Sequence, residues 1–167
     1  MEIVFTQKHT NQYGIDIPEK FNVIGKYCFR KCYDFVDFDI PTHVTRLEGD
    51  CFFECESLIT VNIPTSISEL PEDCFYGCSS LTSINIPTTI SRLGSWCFSE
   101  CASLTSINIP SSINEIGVGC FCGCKSLTSI NIPTSIKYMG NDCFCRCSSL
   151  TSINIPTTIS ELGGIFF

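Results

Sequence analysis

Apolar residues recur along the chain with a period of 23 residues. With Leu81 taken as position 1, apolar side chains occupy positions 1, 4, 6, 10 and 13 of each repeat. One string, Ser-Leu-Thr-Ser-Ile-Asn-Ile-Pro, occurs at 80–87, 103–110, 126–133 and 149–156, with an altered copy at 57–64. A period this short gives one supersecondary unit per repeat, and such units cover their apolar sides by stacking. The pattern therefore predicts a solenoid.

The repeats divide the chain into a first segment and a long repetitive domain. Six full repeats span 18–155, and a partial seventh spans 156–167. Residues 1–17 are interpreted as a degraded N-terminal repeat that acts as a cap, with Phe5 and His9 at the two positions that carry Cys in later repeats. A cap is expected at this end because a terminal repeat otherwise exposes its apolar side.

The other end shows no such cap. The domain 18–167 stops partway through a repeat, and its last residues are Ile165, Phe166 and Phe167. Because an uncapped apolar layer needs cover, either the chain is a piece of a longer protein or a partner covers its last layer. If a partner covers this layer, self-association through these three residues is one way to supply the cover.

Three segments of each repeat predict its local structure. The string Leu-x-x-Ile-x-Ile alternates apolar and polar residues, which predicts a short strand with one buried face that ends at Pro. The string Ile-x-x-Leu-Gly predicts an extended return or turn. The string Cys-Phe-x-x-Cys places two Cys four residues apart, which is typical of one helical or 3-10 turn. Stacking these repeats predicts a parallel sheet on one side and short turns on the other.

This pattern resembles the BspA-like, or treponemal, class of leucine-rich repeats. The repeat at 81–103 matches that class at Leu81, Ile84, Ile86, Pro87, Ile90, Leu93, Gly94, Phe98 and Cys101. The resemblance implies a leucine-rich-repeat solenoid of α/β-type right-handed coils, with a parallel β-sheet on the concave face and short helical or 3-10 turns on the convex face. It also implies protein recognition, often at the surface of bacteria and parasitic protists. One departure is systematic, because Cys replaces the small Ala of the family pattern at position 17.

Charge and hydropathy exclude several classes of function. The net charge is -7 and the ten Lys and Arg are scattered, so an electrostatic nucleic-acid binder is not expected. No apolar run approaches the roughly 18 residues of a transmembrane helix, so membrane insertion is not expected. The start of the chain lacks a secretory signal pattern, which favours a cytoplasmic location. The alternative, implied by the resemblance, is the cell surface.

The fourteen Cys mostly follow the repeat. Two columns, at positions 17 and 21, share a face with the apolar residues, which favours buried reduced thiols. A ladder of disulfides and a zinc site are the alternatives. Cys122 and Cys145 break the columns at position 19, where they are expected to be the most exposed and reactive thiols. Two unreactive surface Cys and a redox-sensitive or bridged pair are the alternatives there.

Two faces are candidates for binding a protein partner. Ser and Asn at positions 3 and 5 alternate with buried residues and are expected on the concave face, at Ser83, Asn85, Ser106, Asn108, Ser129, Asn131, Ser152 and Asn154. A solvated face with no ligand and a repetitive ligand such as a glycan or ice are the alternatives. Variable residues lie on the turn side instead, where Trp96 and Tyr76 offer aromatic anchors.

Catalysis has little support in the sequence. The two His, His9 and His43, lie in different repeats, and no Gly-rich phosphate loop is present. We therefore expect no enzymatic activity, no cofactor and no metal. The predicted function is a non-enzymatic protein-interaction scaffold, and the alternative is a BspA-like surface adhesin or antigen that binds host or matrix proteins.

Overall fold

The computed structural model describes residues 1–34 and 36–164, and these form a solenoid of parallel strands. Residues 23 apart lie side by side, as the period predicts, so that Ile107 pairs with Ile130 and Leu93 with Ile116. The elements are β1 Val4–Phe5, α1 Gln7–Tyr13, β2 Val23–Ile24, β3 Asp37–Asp39, β4 Arg46–Leu47, β5 Thr60–Asn62, β6 Arg92–Leu93, β7 Ser106–Asn108, β8 Glu115–Ile116, β9 Ser129–Asn131, β10 Tyr138–Met139 and β11 Glu161–Leu162.

The strands of the coils fall into two sets. The first set lies at positions 3–5, where β3 pairs with β5 and β7 with β9, and single bridges extend these pairs at Asn85 and Asn154. The second set lies at positions 12–13, where the sequence predicts only an extended return. Its strands form a ladder because the residue at position 14 donates its N–H to the preceding coil, as Gly117 does to the Leu93 carbonyl at 2.9 Å.

The second set of strands is divided at Pro71. One sheet has the order β1-β2-β4, and another has the order β11-β10-β8-β6. The gap falls at the coil where Pro71 replaces the usual Gly at position 14. Glu48 and Gly94 donate their N–H groups from this position, at 2.9 and 2.8 Å, but proline has no N–H to donate. The missing bond accounts for the division.

The N-terminal coil is four residues shorter than the others. Phe5 pairs with Ile24, which is at position 13, so β1 and β2 are 19 residues apart instead of 23. The assignment of Phe5 and His9 to the Cys positions is therefore wrong. Phe5 instead packs on Phe29 with ring centroids 6.0 Å apart, and it extends the aromatic core. Helix α1 takes the place of the turn segment in this coil.

A column of phenylalanines forms the centre of the core. Consecutive rings lie 5.3–5.7 Å apart, with interplanar angles from 17° down to 4°. The column consists of Phe29, Phe52, Phe75, Phe98, Phe121 and Phe144, all buried. The offset stacking that such spacing allows is favourable for aromatic pairs. Leu, Ile and Cys columns surround it.

The turn segments keep i to i−3 hydrogen bonds but do not form helices. Cys101 donates its N–H to the Phe98 carbonyl at 3.3 Å, and Phe98 donates to Cys120 of the next coil at 2.9 Å. Within the described residues, helix occurs only in α1. Left-handed residues at positions 16 and 20, such as Trp96 with φ 57° and Glu100 with φ 56°, turn the chain before a helix can continue.

Candidate interaction surface

The Ser and Asn side chains predicted to bind lie together on one face, which we call the Ser-Asn face. It consists of Ser83, Asn85, Ser106, Asn108, Ser129, Asn131, Ser152 and Asn154, and all eight are exposed. Ser106 pairs with Ser129 and Asn108 with Asn131 in the strand register, so equal side chains form rows across the coils. The buried residue between them, Ile107, is 6% exposed and fixes which face points outward.

The polar groups on these strands differ in whether they have partners. The Thr hydroxyls at position 2 donate to the backbone of the preceding coil, as Thr105 does to the Thr82 carbonyl at 3.5 Å and Thr128 to Thr105 at 3.4 Å. In the part of the chain that the structure describes, the side-chain amides of Asn108 and Asn131 form no hydrogen bond with protein. These amides are free to bond a ligand.

The strand β3 changes the character of this face at its N-terminal end. Asp37 and Asp39 of β3 occupy the places that Ser and Asn hold later, and both are exposed. Thr60 donates its hydroxyl to the Asp37 carboxylate at 2.6 Å. The face is therefore acidic at its N-terminal end and uncharged from Thr60 onward.

The variable residues of the turn side contact one another between adjacent coils. The Trp96 indole lies over Gly119, where an added Cβ would lie 2.3 Å from its ring. Tyr76 stacks on Phe53 with centroids 4.8 Å apart and an interplanar angle of 6°. Arg30 lies over Phe53 at 5.2 Å. Trp96 and Tyr76 are consequently half-buried, so part of each side chain is used in packing between coils.

The sequence does indicate this packing, but only when two adjacent repeats are compared position by position. The residues that all repeats share do not show it. A bulky residue is followed 23 positions later by Gly at three places on the turn side. The pairs are Trp96 with Gly119, Glu54 with Gly77, and Glu100 with Gly123, and in each the side chain of the first residue lies over the glycine. A glycine in the next coil leaves room for the larger side chain.

Carboxylates cluster on the turn side near Lys26, which forms an ion pair with Asp50 at 3.3 Å. Burial raises the pKa of the neighbouring Asp73 to about 6, and repulsion from Asp50 and Glu72 adds to this effect, while Lys26 opposes it. The folded protein therefore holds this proton more tightly than the unfolded chain, whose Asp titrates near 4. The resulting stabilisation is complete below about pH 4 and is lost as the pH rises through about 6.

We expect Asp73→Asn to raise the Tm at pH 7.5 and to leave it nearly unchanged at pH 4. The substitution removes the charge that destabilises the folded state above pH 6, and Asn tolerates the φ of 53° at this position. Thermal unfolding of both proteins followed by circular dichroism from pH 4 to pH 8 checks this. An equal Tm difference at both ends of the range would show that the carboxylate charge is not the cause.

The Cys columns consist of free thiols. At position 21 the thiols donate to the preceding coil, as Cys101 does to the Phe75 carbonyl at 3.2 Å and Cys124 to Phe98 at 3.2 Å. Burial raises the pKa of both thiols well above the ordinary value, so they stay protonated at neutral pH. These contacts favour the reduced, buried thiols that the sequence predicts over a disulfide ladder.

The exposure predicted for position 19 is wrong for one of its two Cys. Cys122 is 8% exposed, because the turn-side residues of adjacent coils pack against each other. Burial raises its pKa to about 11, and interaction with Cys145 adds to the shift. Cys145 is half-buried. Their reactivity stays a prediction.

The two His are separate and occupy structural positions. His9 Nδ1 accepts a hydrogen bond from the Thr6 N–H at 2.9 Å, and its ring packs on Phe21 at 4.6 Å. Nε2 of His43 is buried without a hydrogen-bond partner.

Across 1–34 and 36–164, no group of three or more His, Cys, Asp or Glu is placed to hold a metal ion. Within the same ranges no helix has the length and apolar character needed to cross a membrane.

The residues predicted to support self-association, Ile165, Phe166 and Phe167, lie outside the described residues. The last described strand is β11, where Leu162 is 51% exposed.

The stacked parallel coils, their repeated Leu and Ile positions and the Phe column define a leucine-rich-repeat solenoid. The model of the BspA-type leucine-rich repeat region, in six copies, matches residues 3–124 and 68–167. The chain belongs to this family. No curated protein matches the sequence.

Solved structures of bacterial repeat proteins share the fold. A leucine-rich repeat protein of T. pallidum is 26% identical, with a TM-score of 0.77, over 86% of this chain and 67% of that one. A leucine-rich repeat protein of Bacteroides ovatus is 27% identical, with a TM-score of 0.66, over 86% of this chain and 43% of that one. This chain thus spans less than half the length of the Bacteroides protein. A leucine-rich cell surface protein of Faecalibacterium prausnitzii is 22% identical, with a TM-score of 0.61, over 89% of this chain and 52% of that one.

Proposed function

We propose that this chain is a non-enzymatic repeat scaffold that binds a protein partner through the Ser-Asn face. The observation that carries the proposal is the row of exposed amides without protein partners, which includes Asn108 and Asn131. An amide side chain offers both donors and an acceptor, so a row of them complements the peptide groups and polar side chains of another protein. The buried Ile rows beneath hold the strands in place.

The turn side is a weaker candidate for the same role. Hot-spot residues contribute by burying aromatic area in the partner. Trp96 and Tyr76 already bury part of theirs against Gly119 and Phe53 of adjacent coils. They therefore offer less new contact area than their residue types suggest.

The absence of catalysis is part of the proposal. It is supported by the positions of the two His, because His9 packs between the N-terminal aromatic residues and caps α1. His43 lies in another coil, where its Nε2 is enclosed. A general base needs a reacting group within hydrogen-bond reach, and neither imidazole faces an activated nucleophile.

Site-specific photo-cross-linking tests the proposed face. A photoreactive residue at position 108 is expected to capture a defined protein from extracts of the source cells, whereas the same residue at position 91, directly before β6, is expected to capture none. Unlabelled wild-type protein should compete for the capture. The triple variant Ser83→Asp, Ser106→Asp, Ser129→Asp should compete at least tenfold less well, because it brings unpaired carboxylates to the contact.

Two results would contradict this assignment. One is the same adduct from positions 91 and 108. The other is competition by the triple variant equal to that of the wild type, once circular dichroism shows that the variant keeps its fold. An adduct formed from position 96 but not from position 108 would place the contact on the turn side.

The alternative of an adhesin displayed at the cell surface rests on family membership. The Faecalibacterium relative is named as a cell surface protein, but at 22% identity that similarity supports the fold alone. Digestion of intact cells with an added protease tests display. Loss of the chain from intact cells would favour the surface, and full protection would favour the cytoplasmic location that the sequence predicts.

A further inference from the structure

We propose that Cys122 and Cys145, the position-19 pair, form a disulfide across two adjacent coils on exposure to a low-molecular-weight disulfide. The two residues are 23 positions apart. Their coils are held together by the Gly123 N–H, which donates to the Cys145 carbonyl at 2.7 Å, and by the Phe121 and Phe144 rings, which stack at 5.7 Å. The 5.7 Å between the two rings reflects the separation of the coils, and a separation of that size lies within the range of about 4.4–6.8 Å that disulfides span between Cα atoms.

Access and charge favour reaction at this pair. Cys145 is half-buried and so retains contact with solvent, whereas Cys122 is 8% exposed. Arg146 is next to Cys145, with a side chain that is 73% exposed, and its only ion pair among the described residues is a long one of 3.7 Å with Glu100. A guanidinium at this place attracts an anionic reagent such as oxidised glutathione.

The other neighbouring thiols lack this combination. The sulfurs of Cys51 and Cys74 are only 3.5 Å apart, but both residues are completely buried. Cys32 is half-buried, but its neighbour Cys55 is completely buried and donates its thiol to the Phe29 carbonyl at 3.0 Å. The position-19 pair thus combines a thiol that solvent reaches with an adjacent thiol that no backbone carbonyl binds.

The reaction proceeds by two thiol exchanges. The Cys145 thiolate attacks one sulfur of the reagent, which forms a mixed disulfide and releases the first small thiol. The Cys122 thiolate then attacks the Cys145 sulfur, which forms the bond between the coils and releases the second small thiol. Two protein thiols are oxidised, one reagent disulfide is reduced, and the two protons pass from the protein thiols to the released thiols.

The experiment treats the folded protein with oxidised glutathione at pH 8, alkylates the remaining thiols and maps the peptides by mass spectrometry. The expected product has lost two hydrogens and links the Cys122 peptide to the Cys145 peptide, with Cys51 and Cys74 fully alkylated after unfolding. The bond closes a loop of about 23 residues, so the Tm should rise by about 5 °C or more and return on addition of reductant.

Serine variants make the test specific. Ser99 occupies position 19 in the preceding coil, where it donates to the Cys122 carbonyl at 3.0 Å, so the fold accepts serine at this position. Cys122→Ser should stop the reaction at a stable glutathione adduct on Cys145, and Cys145→Ser should prevent both products. A bridge between Cys32 and Cys55, dimers linked through Cys145, a terminal glutathione adduct in the wild type, or no oxidation at all would each overturn the proposal.

Discussion

Gly117→Ala should destabilise the protein by about 3 kcal/mol or more, which corresponds to a fall in Tm of about 6–12 °C for a chain of this size. The reason is a collision with backbone rather than with a side chain. A Cβ at this position would lie 2.4 Å from the Ser95 nitrogen and 2.6 Å from the Gly94 carbonyl carbon of the preceding coil. Neither atom can move away without separating β6 from β8, which are paired through Leu93 and Ile116.

Gly49→Ala is the matched control for that substitution. A Cβ there would meet the Glu72 side chain at 3.1 Å and the Glu72 carbonyl oxygen at 3.2 Å. The side chain can rotate away, and the carbonyl needs to shift by only a few tenths of an ångström. The added methyl also reduces the freedom of the unfolded chain, so the net change should stay below about 1 kcal/mol. Urea unfolding of both variants measures the difference. Equal losses in the two variants would show that close coil contact at position 14 is not what requires glycine.

The core columns were predictable from the sequence because every repeat places an apolar residue at the same position. Leu81, Ile84 and Phe98 each belong to a series at 23-residue spacing, and all three are buried. Parallel stacking follows from that spacing alone, since a repeat covers its apolar side only with its neighbour. The outward direction of Ser83 and Asn85 follows from the alternation along the strand.

Features that depend on two coils at once were not predictable from one repeat. The exposure expected for Cys122 assumed that position 19 faces solvent in every coil, but packing against the next coil covers it. The second set of strands was expected to be only an extended return, because its ladder depends on N–H groups that bond to another repeat. The sequence does show the place where that ladder stops, since Pro71 lacks the required donor.

The N-terminal coil departs from the period for a different reason. Counting back in steps of 23 assigns Phe5 to a Cys position, but the chain here forms α1 and reaches Ile24 in 19 residues. Helix α1 takes the place of the repeat's turn segment here, so the coil is not held to the 23-residue length. Its aromatic residues, Phe5 and Phe21, pack edge to face at 5.2 Å and extend the aromatic core.

Phe98→Ala should cost about 3–5 kcal/mol, the usual range for removing a fully buried Phe ring. The ring lies between those of Phe75, at 5.6 Å, and Phe121, at 5.7 Å, so its loss removes contacts on both sides and leaves a cavity between two rigid coils. The strand ladders hold the coils at a fixed spacing, and the site therefore cannot collapse to fill the space.

Phe53→Ala makes the same change of side chain on the turn side. Its ring is half-buried and stacks on Tyr76 alone among the aromatic side chains of the described residues, so the expected cost is about 1 kcal/mol. Urea unfolding of both variants compares the two positions. If the two losses were equal, the stability would not depend on the buried column, and the hydrogen bonds between coils would have to supply what the Phe rings are expected to provide.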